Sequence, residues 1–231
     1  MNLDAFEALA FHRRSVRNFK PDPISHALLE RLIRITQRAP SSYNLQPVHY
    51  YIVRQQQIKE ALVRPALGQK QVLSAPALVI FAADRDAAAH NFDKAWGTDL
   101  AQGAITEEKL DIGRNLVDLN FSIKPLGCGW ITKCCIAPLI RLFTPIPELP
   151  AIHKRAWLQK NVGLAAMMFM LAAESAGLAT CPMSGFDEHR LKKVVKIPRR
   201  FDVPLLIAVG YPAERPPERS RLPLEEVVHW L

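Results

Sequence analysis

Cysteine is sparse in this sequence, and none of it is spaced for structural use. The four cysteines are Cys128, Cys134, Cys135 and Cys181. One pair is adjacent and there is no Cys-x-x-Cys, which argues against a disulfide framework and a zinc site. Seven histidines are scattered without a His-Glu-x-x-His or any other metal spacing. A Gly-x-Gly-x-x-Gly fingerprint, a Walker loop and a Gly-x-Ser-x-Gly elbow are all missing, as are internal repeats and low-complexity linkers. No apolar h-region follows Arg13, Arg14 and Arg17, so no secretory signal is expected. The most apolar window, Val162 to Thr180, contains Glu174 and Ser175 and predicts a buried core helix, not a membrane span. Reduced thiols in the cytoplasm are the simplest reading of the cysteine usage.

What is present is a globular composition, with 49% hydrophobic and 23% charged residues in a chain of 231. That length can bury a sizeable core without staples, and residues 1–231 are read as one domain. The formal net charge of +8 suits an anionic partner. The basic residues accompany no nucleic-acid motif, so phosphate on a small molecule is favoured over nucleic acid.

Periodicity places the elements. Asn2 to His12 reads as an amphipathic helix, and Ser25 caps a second one carrying Leu28, Leu29, Leu32, Ile33 and Ile35. Val48 to Val53 is strand-like, Gln55 to Leu67 is expected to be a short helix, and Ala77 to Ala83 is an interior strand covered on both faces. A long, nearly all-apolar helix runs from about Leu158 to Ala176, with Gly177 as its cap. Its alanine stripe suits either core packing or a close helix partner. Strands follow at Leu178 to Pro182 and Val203 to Tyr211, with a short basic helix between them capped by Asp187. The stretch from about 84 to 156 is the least regular, with a helix expected over Thr106 to Ile123, and reads as a lid-like excursion from an α/β domain.

Two segments carry candidate chemistry. Arg13-Arg14-Ser15-Val16-Arg17 sets guanidinium forks and a hydroxyl just past a helix, chemistry that suits a phosphate and a polar ring edge. Pro40-Ser41-Ser42-Tyr43-Asn44-Leu45-Gln46-Pro47 fixes hydroxyls and carboxamides on a rigid loop running into a strand. Alone, either could be an ordinary surface turn.

Together, and in this order, they resemble the FMN-dependent nitroreductase family. The resemblance continues at Asn161-Val162-Gly163, Ala176-Gly177-Leu178, Pro182-Met183-Ser184-Gly185-Phe186, Val209-Gly210-Tyr211-Pro212 and the tail Arg219-Ser220-Arg221. It implies an α+β fold: a three-layer α/β/α domain with a central mixed sheet of four or five strands and a C-terminal tail reaching a dimer partner. It implies FMN as cofactor and NAD(P)H as electron donor, the nicotinamide stacking on the flavin and needing no fingerprint of its own. Hydride would pass through flavin N5 to a small-molecule acceptor of nitroaromatic or quinone type, by a ping-pong mechanism with no side chain as acid or base.

By position, the resemblance implies that Arg13, Arg219 and Arg221 hold the flavin phosphate, with Arg14 and Ser15 in the same turn. Arg17 would sit near the pyrimidine edge, where a cation stabilises reduced flavin. Pro40, Ser41, Ser42 and Asn44 match a stretch that reaches the flavin from the partner of a homodimer. Pro182, Met183, Ser184 and Gly185 match a loop whose N–H groups address N5 and O4. In the segment Gly68 to Gln71, Gln71 is the candidate for the pyrimidine contact. Ser184 stands where many members carry an acid, and Val48 stands where an aromatic is frequent. The alternatives are a flavin-dependent dehalogenase of the same family, or a non-catalytic flavin-binding or membrane-surface protein. The membrane reading rests on the apolar, basic stretch from Ile136 to Pro150.

Overall fold

The computed structural model describes residues 2–121, 139, 142–145 and 150–231. Cys128, Cys134, Cys135 and most of the stretch from Ile136 to Pro150, read above as a membrane-surface segment, lie outside these residues.

Four strands form one sheet: β1 (Val48–Val53), β2 (Ala77–Asp84), β3 (Ala179–Met183) and β4 (Phe201–Gly210), in the order β1-β2-β4-β3. All three ladders are antiparallel, with Val79 opposite both Ile52 and Ile207, and Cys181 opposite Ala208. The expected mixed sheet is corrected accordingly. Among the described residues the parallel component is a single bridge from Ser15 to Thr180. Burial pattern gave no warning, because a central strand covered on both faces reads as a continuous apolar run whatever the direction of its neighbours.

β2 shows why the architecture has three layers. All eight of its residues are buried, and they alternate between two cores. Ala77, Val79, Phe81 and Ala83 enter one core, while Leu78, Ile80 and Ala82 enter the other. On the first face lie α2 (His26–Thr36), α5 (Ala87–Ala101), α6 (Glu107–Phe121) and the long α7 (Lys154–Ser175). On the second lie α3 (Gln56–Val63), the short α4 (Gln71–Ser74) and α8 (Glu188–Val194).

The helix ends follow local chemistry. Ser25 accepts from the Leu28 N–H at 3.2 Å and Asp187 accepts from the Arg190 N–H at 3.0 Å, each opening its helix as expected. Gly177, at φ +74°, closes α7 in the left-handed conformation, with Leu178 N–H reaching back to Ala173 O at 2.9 Å. The alanine stripe of α7 is spent inside the chain: Ala165, Ala166, Ala172 and Ala173 are buried against the sheet side, while Leu164 and Met167 face outward.

Two expectations change. Residues 84 to 121 are far more regular than the sequence suggested, being mostly α5 and α6. The expected helix Gln55 to Leu67 stops at Val63, because Leu67 and Gly68 both take positive φ and turn the chain into α4. α1 (Leu3–His12) forms but buries none of its residues within the chain, leaving Leu3, Phe6 and Phe11 exposed.

Candidate functional site

The arginine turn is built by threading an extended segment between two parts of the sheet. α1 ends at His12, and Arg13 leaves the helical conformation at ψ 128°. Val16 N–H then bonds Thr180 O at 3.0 Å on β3, and Lys20 N–H bonds Tyr211 O at 2.8 Å beyond β4. Val16 and Phe19 are buried as anchors, so Arg13, Arg14 and Arg17 are left to the outside. Gly210 permits this crossing. A Cβ there would lie 2.4 Å from Pro76 Cδ and 3.0 Å from the Phe19 ring.

The returning C-terminal segment completes the wall. Ala213 N–H bonds Asn18 O at 3.1 Å, and the chain continues through Pro216 and Pro217 beside the turn. The result is a cavity of about 540 Å³ lined by Arg13, Arg14, Ser15, Arg17, Arg219 and Arg221, with Glu218 its one carboxylate among the described residues. Six residues proposed from two distant parts of the sequence therefore share one cavity.

The guanidinium groups are not equivalent. Arg14 is committed to structure: it donates to Phe11 O and to Arg13 O at 2.9 Å, and pairs with Glu218 at 3.4 Å. Arg221 donates to Ser220 O at 2.9 Å. Among the described residues, the side chains of Arg13, Arg17 and Arg219 have neither an ion pair nor a hydrogen bond. Five guanidinium groups facing one carboxylate make a strongly positive concavity suited to an anion.

At the other end of the segment, Arg17 lies close enough to β3 for its charge to oppose the effect of burial on Cys181. Burial wins, and the thiol is pushed up from its ordinary value. β3 then ends at Met183, which is buried, and Ser184 and Gly185 emerge into solvent. Neither Ser184 nor Gly185 gives its N–H to a protein acceptor among the described residues, and a Cβ on Gly185 would meet nothing within 4 Å. Pro182 and Met183 thus support the loop from the sheet, while Ser184 and Gly185 present it.

Gln71, the residue the resemblance matches to the pyrimidine contact, sits behind Gln69. It is 5% exposed, and its Nε2 donates to Gln69 Oε1 at 2.9 Å. Gln69 is the half-buried residue in front, donating to Gly185 O at 2.9 Å and Ala66 O at 3.1 Å. Gln69 follows the turn at Leu67 and Gly68, whose positive φ leaves no periodic signal in the sequence.

The Pro40–Pro47 loop lies elsewhere. Tyr43, Asn44 and Gln46 all have positive φ, an unusual concentration for residues other than glycine. The strained turn is held from behind. Asn161, 2% exposed in α7, accepts from Ser42 N–H at 3.0 Å; Trp96 Nε1 donates to Tyr43 O at 2.8 Å; Asn91 Nδ2 donates to Leu45 O at 2.9 Å. Asn44 itself donates to Asp99 at 3.1 Å. Pro40 and Ser41 line a second cavity of about 560 Å³ with His49, Lys94 and Asp99. Ser42 faces a third, of about 240 Å³, with Tyr43, Trp157 and Lys160. Within one chain the serine loop and the arginine turn therefore line different cavities.

With the geometry in place, the profile of the nitroreductase family matches residues 10–211. The chain belongs to the nitroreductase family. It is 31% identical over 229 residues to a 4-nitrobenzoate reductase of Pseudomonas putida, covering 96% of this chain and 92% of that one. It is 29% identical over 228 residues to an NADH dehydrogenase of Thermus thermophilus, covering 99% and 96%. The solved structure of ydfN from Bacillus subtilis superposes with a TM-score of 0.80 at 27% identity over the whole of both chains. A solved structure from Exiguobacterium sibiricum, in complex with FMN, shares the fold at TM-score 0.75 and 20% identity, covering 98% and 97%.

Beside the second cavity this nitroreductase-family chain carries a compact charged group. Asp84, 1% exposed at the end of β2, bonds His90 Nδ1 at 2.9 Å and pairs with Arg200 at 3.4 Å. Burial holds the neighbouring His49 imidazole below its ordinary value; Asp84 pulls the other way, and Arg200 and His90 add to the lowering. Among the described residues no His, Cys, Asp and Glu cluster could hold a metal, and no helix is long and apolar enough to cross a membrane.

Proposed function

We propose that this protein is an FMN-dependent oxidoreductase that passes hydride from NAD(P)H to an electron-poor small molecule, of nitroaromatic or quinone type, as a cytoplasmic homodimer. The observation that carries the reading is the cavity in which five guanidinium groups face one carboxylate, four of them without protein counter-charge among the described residues. A phosphate monoester is the anion such a set fits: compact, doubly charged and able to accept from several forks at once.

FMN bound there would supply the redox chemistry, hydride transfer from NAD(P)H to the acceptor in ping-pong order. The chain's own residues bind and orient. Arg13, Arg219 and Arg221 hold the phosphate end, and Ser15 lies among them. Arg17, close to β3, would place positive charge toward the ring, where a cation favours electron acceptance. Ser184 and Gly185 offer N–H groups with no protein acceptor, and Gln69, tied to Gly185 O, offers polar atoms beside them. The dehalogenase alternative has no separate observation in its favour.

A second copy accounts for what one chain leaves open. Leu3, Phe6 and Phe11 of α1, Leu164 and Met167 of α7, and Leu222, Leu224, Val227 and Trp230 of the tail are all exposed. The Ser41–Ser42–Asn44 loop, strained and firmly held, lines no part of its own chain's arginine cavity. It is suited to complete the cavity of a partner.

The test is Arg13→Ala combined with Arg221→Ala. Loss of charge-assisted bonds to phosphate weakens FMN binding by at least about 10-fold per arginine. Undiminished FMN affinity in the double variant would refute the phosphate site.

A further inference from the structure

The cradle arginines come from two chain segments that have little sheet of their own, and something must fix their spacing. The segments run beside one another through residues 13–20 and 211–221, joined by Lys20 to Tyr211, Ala213 to Asn18 and Arg14 to Glu218. A further tie comes from beneath. Glu174, in the last turn of α7, has a side chain only 1% exposed, and its Oε1 accepts from His12 Nδ1 at 2.7 Å and from Arg215 at 2.8 Å. His12 directly precedes Arg13. Arg215 precedes Pro216 and Pro217, which lead to Glu218 and Arg219.

Stability alone is a poor reason for a carboxylate here. Among the described residues its Oε2 is buried with no hydrogen-bond partner, a costly arrangement for an anion. The C-terminal end of a helix, where backbone carbonyls point outward, also repels negative charge. Among the described residues only two partners compensate it, and each is adjacent to one half of the arginine cavity.

We propose that Glu174 is a positioning residue for the arginine cradle, its single buried oxygen fixing the two segments at the separation the phosphate requires. The proposal rests on the reading of that cavity as a flavin-phosphate site. α7 is the long helix packed against the sheet, so the tie refers both loose segments to the most rigid part of the fold. Loosening it leaves every arginine in place but lets the two groups of guanidinium forks drift. Affinity for the phosphate then falls while contacts to the ring are spared.

The experiment compares FMN with riboflavin, which has the same ring and no phosphate, by flavin fluorescence titration of the full-length chain after removal of bound flavin. Glu174→Gln is expected to weaken FMN binding roughly 10-fold and to leave riboflavin binding within about 2-fold. Equal losses for both ligands, or no loss for either, would overturn the positioning role. Wild-type protein that binds FMN no more tightly than riboflavin would instead bring down the phosphate reading itself. If Glu174→Gln fails to fold, His12→Gln and Arg215→Gln test the same tie from its outer ends. Each should selectively weaken FMN, and the double variant should lose less than the product of the two singles, because both act through one carboxylate. Losses that simply multiply would contradict the proposal.

Discussion

Replacing Asn161 by Leu isolates the support of the strained serine loop. The substitution keeps roughly the same shape in a position 2% exposed, while removing the acceptor of the Ser42 N–H at 3.0 Å and the donor to Trp157 O at 2.7 Å. Loss of one such bond costs about 1 kcal/mol net, and more where the remaining partner is shielded from water. The loop adds to this. Tyr43, Asn44 and Gln46 sit at φ 56°, 51° and 45°, conformations that cost energy for residues with a Cβ and persist only while their surroundings hold them. The expected destabilisation is about 1 to 2 kcal/mol, which for a chain of this length lowers Tm by roughly 2 to 8 °C. Thermal unfolding at fixed protein concentration measures the total. Amide hydrogen exchange at Ser42 and its neighbours measures the local part, and should accelerate more than exchange in β2. A Tm within about 1 °C of wild type together with unchanged exchange at Ser42 would refute the claim that Asn161 holds this loop.

Other consequences follow from packing and titration. Burial pushes the Tyr50 phenol up to about 12, from an ordinary 10.0. A raised acid keeps its proton longer in the folded state, so its stabilisation is complete below pH 10 and is lost as pH rises from 10 through about 12. Tyr50→Phe should therefore flatten the alkaline fall in stability by up to about 2.7 kcal/mol, read from urea unfolding across that range, and an unchanged slope would argue against the burial effect. His49, held below its ordinary 6.5, acts in the opposite sense: its stabilisation is present above 6.5 and is lost as pH falls through the lowered value. Gly113→Ala places a Cβ 2.2 Å from the Trp96 ring, and Trp96 donates to Tyr43 O. Overpacking should outweigh the gain in helix propensity, giving a net loss of about 1 to 2 kcal/mol, and a stabilised variant by calorimetry would contradict the close packing of α5 on α6.

The parts of this fold legible in the sequence were those where one residue's local role coincides with its tertiary role. Ser25, Asp187 and Gly177 end helices by their own chemistry, and each does so in the structure. β2 and α7 were readable because both are apolar on nearly every face. α5 was not, because it buries only Ala87 and Phe92 and so has no apolar stripe to betray its period. Strand direction was equally hidden, since an apolar run does not record which way its neighbours point. At the site, the turn from Arg13 to Arg17 stood out by its charge and Arg219 and Arg221 only through the family resemblance, and Arg13, Arg14, Ser15, Arg17, Arg219 and Arg221 share one cavity. Gln69 and Glu174 were not found. Gln69 is brought forward by a turn with positive φ, and Glu174 acts on residues 162 and 41 positions away in the chain. Contacts of that range leave no local pattern.

Anaerobic addition of NADH or NADPH to the purified protein tests the central claim most directly, followed by its visible spectrum. The account predicts a yellow protein, as isolated or after incubation with FMN, whose flavin bands bleach with at least one nucleotide and return when a quinone or nitroaromatic is added. A colourless protein that cannot be reconstituted with FMN would contradict the account. Flavin that binds but is bleached by neither nucleotide would leave binding without the proposed reaction.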